Sequence, residues 1–257
     1  MKRSKKMIKN NNVCFFSDLD HTLIYSHRIQ ISQPKRVVEF LDGKEQSYMT
    51  HKTFTWLQKQ KSFQLIPVTT RSQEQYNRIF IFQHEIPCTY SLVCNGGELL
   101  VHGIRDKMWH DETISLIQNS YDDLNKMKNV IKKIPGVKIH FVENLFFYFL
   151  LENPLKWASY LIKMVPSQKV LVLTGGEKKI YCLPRLLNKG VAIERFKRRF
   201  FLKKMFAAGD SDFDITMLNS ADIAFVQPQL ANKINNMNKI IISNKIFSDG
   251  ICDYLSK

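Results

Sequence analysis

Short apolar runs rich in branched and aromatic residues alternate along this chain with stretches whose apolar positions recur every three to four residues. Residues 13–16 (Val-Cys-Phe-Phe), 63–68, 90–94, 205–208, 223–226 and 240–242 read as strands. Residues 72–82, 190–201 and a segment opening at 210–218 read as helices between them. Strands that alternate with helices predict a parallel sheet with helices on both faces. Residues 36–50 carry Asp42-Gly43 between two strand-like arms, a short-range hairpin signal. Thr50 then stands where it would cap a helix carrying Phe54, Trp56 and Leu57.

The middle of the chain has a different rhythm. A helical pattern over 111–133, closed by Pro135-Gly136, precedes strands at 137–142 and 145–151. A helix over 154–164 precedes strands at 169–173 and 179–183, joined at Gly175-Gly176. Helix, strand, strand, stated twice, predicts an α+β unit inserted into the first fold. The expected division is a core of residues 1–104 and 185–257 with an insertion of 105–184.

Sites in open α/β sheets gather at the carboxyl ends of strands. After the first strand stand Asp18, Asp20 and Thr22. After the second stand Thr69, Thr70 and Arg71, and after the third the Asn95-Gly96-Gly97 turn. Asn188-Lys189-Gly190 marks the return from the insertion, and Gly209-Asp210-Ser211-Asp212-Phe213-Asp214 follows the strand at 205–208. Asp18, Asp20, Asp210 and Asp214 meeting in one cleft would raise each other's pKa. A hard divalent cation removes that cost, and magnesium, held by carboxylates, waters and a substrate phosphate, suits such a set. A carboxylate can also attack phosphorus, and a second one can move a proton. Thr69 and Lys189 offer a hydroxyl and a fixed positive charge to a phosphoryl group. Ser211 reads as a helix cap. His21 reads as a loop residue at the rim, and Trp109, Phe146, Phe147 and Tyr148 read mainly as core of the insertion.

Asp18-Leu19-Asp20-His21-Thr22, Thr69, Lys189 and the Gly209 to Asp214 run together resemble the four motifs of the haloacid dehalogenase superfamily, and its phosphatases in particular. The likeness spans nearly the whole chain. An insertion between the second and third motifs is similar to the large α/β cap of the Cof-like and sucrose-phosphate phosphatase-like branch. The resemblance implies Asp18 as nucleophile and Asp20 as general acid/base. It implies Thr69 and Lys189 on the phosphoryl group, with Thr70, Arg71, Asn95 and Asn188 as further substrate-side candidates. It implies magnesium held by Asp18, the Asp20 main-chain carbonyl and Asp210, with Asp214 acting more indirectly. The substrate it suggests is a small phosphorylated metabolite, first of all a sugar phosphate. The chain departs from the family in reading Thr-Thr-Arg at 69–71 where Thr-Gly-Arg is usual, and in carrying the 36–50 hairpin.

Composition narrows the alternatives. In 257 residues, 44% hydrophobic side chains with 24% charged ones describe a folded soluble protein. The net charge of +15 favours anionic partners. Its densest clusters, at 2–6 and 195–204, read as solvated faces, since no zinc-finger, RRM-like or basic-zipper pattern accompanies them. Five scattered cysteines without pairing motifs point to reduced thiols. The apolar run at 145–151 is far short of a membrane span, and no secretion signal is read. A cytoplasmic enzyme is therefore expected. Two other classes stay open: a phosphomutase-like phosphotransferase, and a basic nucleic-acid-binding or scaffolding protein on the same fold.

Overall fold

A computed structural model describes residues 12–256. The basic cluster at 2–6 lies outside them. β1 (Val13–Ser17) is buried from Cys14 onward: Cys14 and Phe16 point to one face and Phe15 to the other. β2 (Tyr25–Ser26), β3 (Lys35–Leu41) and β4 (Lys44–Thr50) form a small antiparallel sheet in the order β2-β4-β3, turning at Asp42-Gly43, both with positive φ. Thr50 caps α1 (His51–Lys59) by accepting from the Thr53 N–H. β5 (Gln64–Pro67) returns beside β1.

The helix expected over 72–82 is two pieces, α2 (Gln73–Asn77) and α3 (Ile81–His84). Between them the buried Ile79 pairs with Glu39 of β3, which draws the backbone out of the helix. β6 (Tyr90–Val93), β7 (Glu98–Val101) and β8 (Ile104–Arg105) form an antiparallel meander, joined to the end of β5 at a Val68–Leu92 bridge.

The helix expected over 111–133 is also two, α4 (Lys107–Ile117) and α5 (Tyr121–Ile131), separated by a 3-10 turn at Gln118–Ser120. Asp106 starts α4 early by accepting from the Trp109 N–H at 2.8 Å. β9 (Ile139–Val142), β10 (Phe146–Leu150), α6 (Pro154–Met164), β11 (Val170–Gly175) and β12 (Lys179–Pro184) follow as expected, the strands ordered β11-β12-β10-β9 and all antiparallel. One face of this sheet, with Phe147, Phe149, Ile180 and Cys182, packs on α5 and α6 through Leu124, Met127, Ile131 and Leu161. Its other face carries Tyr148, Lys179 and Tyr181 toward the parallel sheet's strand ends.

α7 (Lys189–Phe200), β13 (Lys204–Gly209), α8 (Ile215–Ser220), β14 (Ile223–Val226) and β15 (Lys239–Ile241) complete the parallel sheet, order β15-β14-β13-β1-β5. Both faces are covered, by α1 and α9 (Phe247–Leu255) on one side and α7 and α8 on the other. The pattern along the chain did not predict α9, because Gly250 interrupts it; a Cβ there would stand 2.3 Å from Ile242. Asp249 Oδ1 accepts from Thr50 Oγ1 at 2.5 Å and Thr53 Oγ1 at 2.9 Å, tying α9 to the start of α1.

Two of the six basic residues in the 195–204 cluster, Arg195 and Arg199, are used inside the fold. The Arg195 guanidinium lies 3.9 Å from the Trp109 ring centroid, and Arg199 pairs with Asp106 at 2.6 Å. Trp109 is fully buried with Phe196 of α7, so the start of α4 packs on the parallel sheet's helical layer, while Ile117 at its end is buried with Val142 and Phe146 of the antiparallel sheet.

Candidate active site

β1 ends at Asp18, whose N–H donates to the Ala208 carbonyl of β13. The chain then winds tightly: the N–H groups of Thr22, Leu23 and Ile24 all reach back to the Leu19 carbonyl, with His21 at φ 60°. This turn lays the Thr22 hydroxyl between two carboxylates, 3.4 Å from Asp18 Oδ2 and 3.2 Å from Asp210 Oδ1. One hydroxyl has one proton, so it serves one of them at a time.

From the first turn of α7, Lys189 enters the same space. It is 1% exposed. Its Nζ donates to Asp18 Oδ1 at 2.5 Å and to Asp214 Oδ1 at 2.6 Å. Burial lowers a lysine's pKa, yet the two carboxylates outweigh it and keep the ammonium protonated. Asp214 is fully committed, because its Oδ2 also accepts from the Asp210 and Ser211 N–H groups and the Ser211 hydroxyl. It needs β13 to pass very close: a Cβ on Gly209 would lie 2.4 Å from the Asp214 Cβ.

Asp18, Asp210 and Asp214 each offer an oxygen within 4.8 Å of the others. Desolvation, reinforced by Asp214, Asp210 and Asp20 and only partly offset by Lys189, raises Asp18 well above the usual carboxylate range. Desolvation and Asp214 push Asp210 up to about 6. One lysine thus leaves the cluster short of positive charge. A set of hard oxygen donors in that condition fits a small divalent cation.

Asp20 turns the other way. Arg71 grips both of its oxygens, Nε to Oδ2 at 2.8 Å and Nη2 to Oδ1 at 2.7 Å. Burial raises its pKa, but the guanidinium's bonds and charge outweigh this and hold it below the usual range. Arg71 is itself braced by Glu39 Oε1 at 2.8 Å. Glu39, 3% exposed, also takes Arg78 at 3.2 Å and the Ser47 hydroxyl at 2.7 Å. The hairpin therefore delivers a carboxylate into the site. Nothing in the strand pattern singled Glu39 out, since one glutamate in a hairpin looks like any solvated one.

Thr69 is buried, its Oγ1 accepting from the Arg71 N–H at 3.2 Å, while Thr70 lines the cleft. Asn95 and Asn188 do not line it. Asn95, at φ 59°, donates to the Leu187 carbonyl at 2.8 Å, while its N–H bonds the Thr69 carbonyl. Asn188 caps α7, accepting from the Val191 N–H and donating to the Arg185 carbonyl. Asn95 therefore joins the loops that carry Thr69 and Lys189, while Asn188 orders the start of α7 locally.

Asp18, Asp20, Glu39, Thr70, Arg71, Lys189 and Asp210 open onto a cleft of about 830 Å³ between the parallel strand ends and the antiparallel sheet. Its far wall is Tyr148, Lys179 and Tyr181, with Phe213 set edge-on to Tyr181 at 5.0 Å.

The family model described as sucrose-6F-phosphate phosphohydrolase matches residues 11–256. The chain belongs to that family. It is a phosphatase of the haloacid dehalogenase superfamily, with that superfamily's α/β core and an additional cap. Its fold is similar to a sucrose-phosphatase from Synechocystis solved with sucrose and phosphate: TM-score 0.67, 18% identity, 96% of this chain and 97% of that one. It is also similar to a subclass IIB sugar phosphatase of the superfamily (TM-score 0.65, 14% identity, 95% and 97% covered). A superfamily phosphatase from Bacteroides thetaiotaomicron matches with TM-score 0.58, 12% identity, and 100% and 97% coverage. No curated protein matches the chain.

Proposed function

We propose that the chain is a magnesium-dependent sugar phosphatase working through an aspartyl-phosphate on Asp18. The observation that carries this reading is the environment of Asp18. One of its oxygens is held by Lys189, and a second carboxylate, Asp210, stands beside it across the Thr22 hydroxyl. A nucleophile fixed in this way presents its remaining lone pairs to phosphorus without a rotamer search.

Asp18, the main-chain carbonyl of Asp20 and Asp210 would hold the magnesium ion, which when bound supplies positive charge for the phosphoryl oxygens. Lys189 supplies the permanent cation on that side. Thr69 and Thr70, at the end of β5, supply hydroxyl and backbone donors. Oriented charge of this kind carries most of phosphoryl-transfer catalysis.

Asp20 serves as acid to the leaving oxygen and as base to the water that cleaves the intermediate. Clamped by Arg71 it is ionised, the form that takes a proton from water. Donation requires a protonated Asp20, and so requires Arg71 to loosen its grip. Glu39 gives that arginine somewhere to remain. Within residues 105–184, the β9–β12 sheet with α5 and α6 acts as the cap: the Tyr148–Tyr181 wall closes over the sugar and excludes water. No helix among the described residues is long and apolar enough to cross a membrane. The five cysteines are free, which suits a reducing cytoplasm.

The test is phosphate release from a panel of sugar phosphates with and without magnesium. Turnover that needs the metal and disappears in Asp18→Asn supports the reading. An Asp18→Asn enzyme with native turnover sinks it.

A further inference from the structure

The cations around the reacting carboxylates fall into two groups. Lys189 is matched by Asp18 and Asp214, Arg71 by Asp20 and Glu39, Arg78 by Glu39, and Lys178 by Glu152. Lys179 and Arg28 also line the cleft, and neither has a carboxylate partner among the described residues. Lys179 starts β12 on the face that carries Tyr181, and it stands opposite Leu150 as Tyr181 stands opposite Tyr148. Its Nζ lies 5.2 Å from the Tyr148 ring centroid. It is thus a strand residue aimed at the cleft by the two-residue alternation of the sheet. Desolvation by the cleft walls holds its ammonium below the usual lysine value, with Asp20 drawing it up and Arg71 pressing it down. Lys179, Asp20 and Arg71 line the same cleft.

We infer that the substrate carries a second anionic group, a carboxylate or a further phosphate, on the alcohol it releases, and that Lys179 receives it. The inference rests on the phosphatase reading above, in which Asp20 protonates the leaving oxygen. A group near both Asp20 and Lys179 therefore belongs to the leaving alcohol and not to the transferring phosphoryl, whose charge is met from the Lys189 side. A neutral sugar gives an unmatched ammonium nothing to bind beyond hydroxyls. An anion gives this exposed ammonium at the cleft wall a charge-assisted bond. Arg28, exposed and lining the same cleft, adds a second positive charge there.

The test compares two pairs of esters: glucose 6-phosphate with 6-phosphogluconate, and fructose 6-phosphate with fructose 1,6-bisphosphate. The native enzyme should favour the more anionic member of at least one pair by about tenfold or more in kcat/KM, the worth of one charged hydrogen bond. Which pair shows the preference separates a carboxylate from a second phosphate. Lys179→Ala should collapse that ratio through KM of the anionic member, and Lys179→Arg should keep most of it. A native enzyme that prefers the neutral esters, or a ratio unchanged in Lys179→Ala, overturns the inference while leaving the phosphatase reading intact. If none of the four esters releases phosphate, calorimetric titration of native and Lys179→Ala protein with the same compounds decides the subsite alone. Tighter binding of an anionic member that is lost in Lys179→Ala upholds it, and equal binding overturns it.

Discussion

Arg71 and Asp20 meet through two parallel hydrogen bonds, at 2.8 and 2.7 Å, at the ends of two neighbouring parallel strands. A lysine in place of Arg71 has one point of charge and no fork. Arg71→Lys should therefore leave the fold intact and lower kcat/KM by about ten- to a hundredfold, the worth of one charged hydrogen bond. Steady-state kinetics beside a far-ultraviolet circular dichroism spectrum would show it. A variant within twofold of native would mean that the clamp has no part in turnover.

Glu39 carries a heavier structural burden than its place on a surface hairpin suggests. It offsets two arginines and takes the Ser47 hydroxyl, almost out of solvent. Glu39→Gln keeps the shape and removes the charge, so Arg71 and Arg78 are left under-compensated. Breaking a buried ion pair from one side costs about 3 kcal/mol or more. The urea midpoint should fall accordingly, and activity should fall with it because Arg71 loses its brace. Unchanged stability would show that the hairpin is an ornament on the site.

The acidic cluster should make the metal-free protein less stable as pH rises. Asp210 is raised to about 6 and Asp18 also lies above its ordinary value, so between the usual carboxylate range and about pH 6 the folded chain holds protons that the unfolded chain has released. Stability contributed by these groups is present at low pH and lost as pH climbs through that window. Magnesium should reverse the loss, so the rise in Tm on adding it should be small near pH 5 and large near pH 7.5. Asp210→Asn should raise the Tm of the metal-free protein near pH 7.5 and abolish most of the magnesium response. A magnesium shift of equal size in native and Asp210→Asn protein would place the ion elsewhere.

The parallel sheet was legible because β1, β5, β13 and β14 are buried on both faces and so appear as unbroken apolar runs. Asp18, Lys189, Asp210 and Asp214 were legible as candidates because strand ends and glycine turns mark them. What stayed hidden depends on contacts between distant segments. Ile79 leaves its helix only because Glu39 of β3 pairs with it. Asn95 and Asn188 read as substrate candidates from their positions, yet their amides are bound to the backbone at Leu187 and Arg185. Lys179 is one lysine among many until the pairing of β10 with β12 shows which way it faces.

Gly175 tests the cap wall without touching the reacting groups. It pairs with Lys179 across the β11–β12 ladder, and a Cβ there would lie 2.8 Å from Cε2 of the Tyr181 ring. The φ of Gly175 is not positive, so alanine meets no backbone penalty. The whole effect of Gly175→Ala must then fall on the ring, which has to swing away and carry its edge contact with Phe213 along. Tyr181 stands between the cap and the loop that holds Asp210 and Asp214, so the swing changes how the cap seats on the core. The expected result is a rise in KM of about tenfold, a change of roughly 1.4 kcal/mol in substrate binding. Stability and kcat should change little, because Asp18, Lys189 and Arg71 lie on other elements. Ester hydrolysis measured over a full substrate range separates the two parameters. A variant that loses kcat at unchanged KM would show that the Tyr181–Phe213 contact sets the catalytic loop itself and does not shape the substrate pocket.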